Sequence, residues 1–370
     1  MEHTDEDLGR LVWGEAEQRA ARGDTSYVRE LGEELADRHA AAAERVREYD
    51  RHLAHVVRVL ALSPGRDGLA QLLRLLDAKT PSGSGGNLRA IASLLAEHHR
   101  VADLADAVFD RVERDRLDEL RACLFHELVL RGVDIDDFPG LRSWPLVRPG
   151  WHPLAWLPPY RSDLEAEADF PSRSMRGATW EIPTGLPTEG RVDPPAPRTT
   201  EKSALRDIAT VDVHETVVSA VNAGDWGNCA AWVFRLDEPI APDEVPALLP
   251  TLPMPCVEGL GPEGRFEIAV RPADDIWRLL FATASMGGMY GSGVQGAYGR
   301  LWAWRSLAGL SGAPAGASAE AVERHALQSA WFHFEADTDW FHNEVGNDYG
   351  IAALSPDRRR IAVLAATDTD

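Results

Sequence analysis

The sequence predicts an α+β protein: a helical amino-terminal bundle or short solenoid, followed by a mixed α+β domain with an antiparallel carboxy-terminal sheet. Three observations carry that expectation. Apolar residues recur at three- and four-residue spacing up to Leu128, a proline-dense stretch then abolishes the pattern, and side chains alternate in and out after Trp331. The domain bounds that follow are 1–135 for an all-helical stack of helix pairs, 136–204 for a proline- and tryptophan-rich connector, and 205–370 for the α+β domain.

In the first part, residues 8–48 are rich in Ala, Glu, Arg and Leu, which lose little side-chain freedom in a helix. Gly23-Asp24-Thr25-Ser26 interrupts this run and supplies capping residues for the next helix. Leu53, Val56, Val57 and Leu60 then mark one helical face. Leu69, Leu72, Leu73 and Leu76 mark a second, Leu88, Ile91, Leu94 and Leu95 a third, and Leu117, Leu120, Leu124 and Leu128 the last. Leu53 to Leu88 and Leu69 to Leu104 are both 35 positions apart, the size of a helix-pair repeat. His52 and His55, three apart, read as packed residues rather than metal ligands.

Between Asp136 and Lys202, prolines from Pro139 to Pro197 remove backbone donors and exclude long regular elements. Trp144, Trp151, Trp156 and Trp180 argue for an ordered wrap, with 184–202 as its mobile part. Beyond it, 205–223 reads as a short strand entering a helix. Strands are expected over Ala230–Leu236 and Phe266–Val270, and a helix from Ile276 behind Asp274-Asp275, whose charge suits a helix amino terminus. Tyr349–Leu354 and Ile361–Ala366 flank a polar turn and form a hairpin by composition.

Composition bounds the function. The chain has 370 residues, enough for two domains, and 44% are apolar. No stretch approaches the roughly 18 apolar residues of a membrane span, and the charged start lacks the pattern of a secretory signal. Cys123, Cys229 and Cys256 form no CxxC pair, which argues against a disulfide framework or a thiolate zinc site and for a cytoplasmic setting. With 59 acidic against 38 basic residues, the net charge of −21 repels phosphate backbones and anionic lipid. Nucleic acid and membrane are therefore not expected as partners; the charge reads first as solubility, with a basic partner protein as the alternative.

Two segments carry candidate chemistry. Residues 285–300 contain six glycines and feed a helix, the geometry in which backbone donors cradle an anion. Gly291, Gly293 and Gly296 would line such a ligand site, with Arg300 and Arg305 as its cations. The element before them reads as a helix rather than a strand, against a dinucleotide fingerprint. The second segment, 331–341, alternates. Phe332, Phe334, Ala336, Thr338 and Trp340 face inward, leaving His333, Glu335, Asp337 and Asp339 on a polar face. His333, Asp337 and Asp339, with His342 close by, are the candidate catalytic or divalent-metal residues. A pair of carboxylates holds an ion or divides acid and base roles. The plainer reading of that face is a solvated surface that protects the sheet from edge pairing. No cofactor is called for beyond that possible divalent metal.

Phe334-Glu335-Ala336-Asp337-Thr338-Asp339-Trp340-Phe341, the ending Ala362–Asp370, Gly296–Leu301 and Trp304–Leu307 together resemble an uncharacterised protein family of high-GC, filamentous soil bacteria. The resemblance covers mainly 205–370 and implies a bacterial cytosolic origin without a mechanism. The leading expectation is a non-enzymatic protein-binding or scaffolding protein of regulatory type. The alternative is a small-molecule or divalent-metal-dependent hydrolase, or a ligand-binding protein, with its site between 285–300 and 331–341.

Overall fold

The computed structural model describes residues 5–41, 47–79, 85–110, 117–179, 181–193, 205–260, 264–289, 291–341 and 347–368. The chain forms two compact units, Met1–Ala155 with Ser172–Thr179, and Trp156–Pro171 with Trp180–Asp370. The proline-dense stretch is thus shared between the two. Part of the 184–202 segment, from 194 onward, lies outside the described residues.

The first unit contains α1 (Asp5–Gly14), α2 (Ala16–Ala21), α3 (Thr25–Ala41), α4 (Arg47–Leu62), α5 (Arg66–Lys79), α6 (Gly85–His98), α7 (Val101–Leu104), α8 (Asp118–Leu130) and α9 (Pro139–Val147). The stripes read from the sequence meet in its core. Leu31 and Leu35 of α3, Val56 and Leu60 of α4, and Leu69 and Leu72 of α5 are all buried. A side chain on Gly32 would meet Leu75 Cδ2 at 2.8 Å, so α3 and α5 approach this closely only across a glycine. In a solenoid each pair touches only its neighbours. Here α4 packs against α1, α2, α3, α5 and α6, which makes the unit a bundle and the 35-residue offset a coincidence of helix lengths.

Prolines did not exclude a helix in 139–147. Pro139 takes the first helical position, where a missing N–H is not needed, and Pro145 falls in the last turn. Trp144 from this helix is buried, edge-on to Phe109 at 5.9 Å. A hairpin of β1 (Ser172–Ser174) and β2 (Gly177–Thr179) completes the unit.

The second unit is built on a seven-stranded antiparallel sheet. Its strands are β3 (Arg191–Val192), β4 (Leu205–Asp207), β5 (Asn228–Leu236), β6 (Phe266–Arg271), β7 (Ala330–Ala336), β8 (Asn347–Leu354) and β9 (Arg360–Asp368), in the order β3-β6-β7-β8-β9-β5-β4. Its helices are α10 (Val211–Val217), α11 (Ser219–Ala223), α12 (Val245–Leu248), α13 (Ala273–Met286), α14 (Gln295–Ser311) and α15 (Ala319–Gln328). Among the described residues, no helix is long and apolar enough to cross a membrane.

Both faces of the sheet are covered. On one, Phe332, Phe334, Leu354 and Val363 pack with Val245, Leu249, Met254 and Cys256 from the turns around α12. On the other, α13 lies on β7, and α14 on β8 and β9. Arg360 of β9 caps α14 by donating to Leu310 O at 2.8 Å and Gly309 O at 2.7 Å, where the helix ends at Gly312 with φ +76°. The alternation expected in 331–341 holds only to Ala336. There the Asp337 N–H bonds Arg265 O at 2.9 Å, and the Thr338 N–H turns back to Ala336 O at 3.1 Å. Asp337 and Asp339 therefore lie beyond the strand rather than on its face.

Phe334 stands opposite Gly350 in the β7–β8 register, and any side chain on Gly350 would overlap its ring. Gly350→Val is expected to lower unfolding free energy by about 1–3 kcal/mol through overpacking, measured by denaturant titration.

Candidate functional site

The glycine-rich segment meets a carboxylate of the chain itself through one backbone N–H, that of Met289. Asp368, at the end of β9, is buried, and its carboxylate accepts from the Met289 N–H through Oδ2 and from the Gly227 N–H through Oδ1 at 3.2 Å. A Cβ on Gly288 would meet Asp368 Oδ2 at 2.7 Å, and one on Gly291 would meet Gly224 O at 2.6 Å. Gly293 sits at φ +58° against the Ser285 carbonyl. Gly296 is buried in the first turn of α14. One turn on, a Cβ on Gly299 would come within 2.6 Å of Ser285 Cβ, so α14 and α13 cross with almost nothing between them.

Arg300 is 0% exposed and has a partner of its own. Its Nε donates to Glu165 Oε1 at 2.6 Å and its NH2 to Glu165 Oε2 at 2.8 Å. Further bonds reach Pro158 O at 3.2 Å and Tyr160 O at 2.7 Å. Glu165 also accepts from Trp304 Nε1 at 2.6 Å and from the Ser162 N–H at 2.9 Å, the second bond closing a capping box. Arg305 is exposed and stacks over the Trp302 ring at 4.9 Å. The two arginines therefore do not converge on the glycines.

His333 is on β7, 4% exposed, beneath the helical layer. Burial, with the Arg271 charge adding to it, pushes its imidazole down to about 4, against a hydrogen bond with the Thr184 backbone. It is a neutral, enclosed ring at physiological pH. Asp339 is exposed in the turn after β7, and His342, Glu344 and Asp370 lie outside the described residues. His333, Asp337 and Asp339 are therefore not brought together. Among the described residues, no group of three or more His, Cys, Asp or Glu side chains is placed to hold a metal ion.

Asp337 belongs to a different constellation. It lines an open cleft of about 460 Å³ with Glu267 of β6, Glu335 of β7 and Asp348 of β8, and with Arg191, Arg265 and the Thr184-Gly185 turn. Glu267 and Glu335 face each other across the β6–β7 register. Glu267 is held by Arg191 at 2.9 Å and Arg265 at 2.6 Å. Arg191 is positioned in turn by donating to Leu186 O at 3.0 Å and Pro187 O at 3.1 Å. Glu335 accepts the Leu186 N–H at 2.7 Å. Burial, with Glu267 adding to it, raises its carboxyl above the ordinary range, while the Leu186 N–H and the two arginines pull the other way. Asp348 is 7% exposed. Among the described residues, the glycine segment contributes nothing to the cleft lining.

Of these residues, sequence reasoning had singled out Asp337 and placed Glu335 on the right strand. It missed Arg191, Arg265 and Glu267. A two-residue strand in a proline-rich stretch leaves no periodic trace, and only the fold brings it beside β6.

A profile of the family of unknown function DUF6183 matches residues 10–370, and the chain belongs to that family. No curated protein matches the chain, and no solved structure does.

Two outcomes follow from the buried groups. Arg300→Met strands Glu165 in the interior and is expected to cost about 3–5 kcal/mol in denaturant unfolding, with part recovered in the Glu165→Gln/Arg300→Met double variant. For His333, the unfolded chain takes up a proton below about pH 6.5 that the folded chain resists until about 4. Its contribution is full above pH 6.5 and lost as pH falls toward 4, worth about 3 kcal/mol over that window. His333→Leu should flatten this part of the stability–pH curve, read as melting temperature against pH.

Proposed function

We propose that this member of the family is a non-enzymatic binding protein whose cleft beside β7 receives basic side chains of a protein partner. The observation that supports this is the cleft lining, four carboxylates against two arginines. Both arginines are already engaged by Glu267. The carboxylates of Glu335 and Asp337 give the remainder its negative sign, and a cation relieves their mutual repulsion.

Small-molecule pockets are mostly apolar with a few placed polar groups. Six of the nine residues lining this one are charged, which suits the head of a lysine or arginine delivered on a partner's surface. The overall charge of −21 favours encounter with such a partner over long range. The hydrolase alternative draws less support. His333 is enclosed and neutral, and Asp337 and Asp339 do not share a face.

The test is isothermal titration with a short lysine- and arginine-rich peptide, against a glutamine-substituted peptide of the same length. The expected result is binding that weakens as salt rises and falls at least tenfold in Glu335→Gln/Asp337→Asn, with no binding of the neutral peptide. Affinity should also decline on acidification, beginning above the usual carboxylate range, as Glu335 takes up its proton. Equal binding by wild type and the double variant would overturn the reading. Calcium or manganese binding abolished by the same substitutions, without peptide binding, would favour the metal alternative.

A further inference from the structure

Part of the cleft wall comes from outside the sheet. Residues 182–187 lie against β7 and β8 with Ile182, Thr184 and Leu186 buried and Gly185 exposed, and Thr184 and Gly185 line the cleft. Pro183 and Pro187 carry no N–H, and the Thr184 N–H turns back to Ile182 O at 2.8 Å. The segment therefore cannot join the ladder as a strand, and side chains hold it instead. Glu335 Oε1 accepts the Leu186 N–H at 2.7 Å, and the His333 ring bonds the Thr184 backbone. Thr184 Oγ1 donates to Asn347 Oδ1 at 3.4 Å. Arg191 ties Leu186 O and Pro187 O, at 3.0 and 3.1 Å, to Glu267 at 2.9 Å.

Among the described residues, the Leu186 N–H is the one main-chain donor by which this segment reaches the sheet, and its acceptor is a cleft carboxylate. Glu335 thus belongs to the lining and to the fastening of the wall. A hydrogen bond to an ionised carboxylate is about twice as strong as one to a neutral acceptor, so the grip on Leu186 follows the charge of Glu335. Burial and the neighbouring Glu267 oppose that charge. Arg191 and Arg265 favour it from a distance, since both pair with Glu267. A further cation in the cleft shifts the balance toward the ionised form.

We infer that Glu335 couples occupancy of the cleft to the order of this wall: a basic side chain entering the cleft tightens residues 182–187 onto the sheet, and its departure loosens them. The inference rests on the reading of the cleft as a site for basic side chains. The coupling is reciprocal, because a firmly held Leu186 N–H favours the ionised carboxylate and hence the cation. Gly185 keeps the wall open beside this bond. A Cβ there would meet no heavy atom within 4 Å, and its backbone does not require a glycine.

That open position allows a test on the full chain that needs no partner. Gly185→Lys supplies a tethered cation at the cleft, and Gly185→Gln is its neutral control. In hydrogen exchange, the Leu186 amide should exchange about threefold more slowly, or slower still, in the lysine variant than in the control. Adding Glu335→Gln to both should erase the difference. Equal exchange in the two, or a difference that survives Glu335→Gln, overturns the coupling. Wild type with a saturating lysine- and arginine-rich peptide gives an arm without variants, in which slower Leu186 exchange supports the coupling. A peptide that binds in titration and leaves Leu186 exchange unchanged overturns the coupling while the reading of the cleft stands. Protection in the lysine variant with no peptide binding supports the coupling and counts against the protein partner.

Discussion

The ion pair between Glu165 and Arg300 is the constraint on which the second unit rests. Removing two charges from water is costly, and a buried pair persists only where geometry and further hydrogen bonds offset that cost. Here each Glu165 oxygen takes two donors, Arg300 Nε and Trp304 Nε1 on one, Arg300 NH2 and the Ser162 N–H on the other. The pair fixes Trp156–Pro171 to α14, and α14 in turn packs against α10, α11, α13, α15, β8 and β9. One helix therefore sets the height of the layer over the sheet. Of the strands that carry the cleft carboxylates, β8 packs directly beneath it.

Carboxylates serve this unit in two chemically distinct ways. Glu165 and Asp368 are internal anions, supplied with donors by a guanidinium, an indole or backbone N–H groups, and they are structural. Glu335 and Asp337 line an open cleft in which Arg191 and Arg265 are engaged by Glu267. The contrast separates enclosed carboxylates from those that line an open cleft. It depends on which donors each acid meets, and that information is absent from residue type.

The helical faces were legible because a stripe buried against other helices leaves a period of three and four, as in Leu53–Leu60 and Leu69–Leu76. Strands β5, β6, β8 and β9 were legible from β-branched and aromatic content between turn residues. On β7 the reading failed at His333, since a strand covered on both faces loses the contrast between inside and outside. It also ran too far, because the stop after Ala336 comes from bonds to Arg265 O and Cys256 O that are remote in sequence. Helix α9 was hidden by Pro139 and Pro145, residues that disfavour a helix in general but occupy tolerated positions within it. The glycine spacing in 285–300 pointed to an anion at the backbone. Its anion, Asp368, lay some seventy-five residues ahead, and no local pattern names so distant a partner.

The path of the chain, which leaves the helical unit after Ala155 and returns to it at Ser172, has a consequence for biosynthesis. As the protein emerges from the ribosome, α4, α6 and α8 are complete well before the hairpin that closes over them. Until Thr179 has left the exit tunnel, Arg58 and His98 lack the hairpin carbonyls that they bond in the finished fold. A fragment cut at Ala155 would leave those donors permanently without the hairpin, so the bundle's last element must be sought among residues that a simple truncation discards.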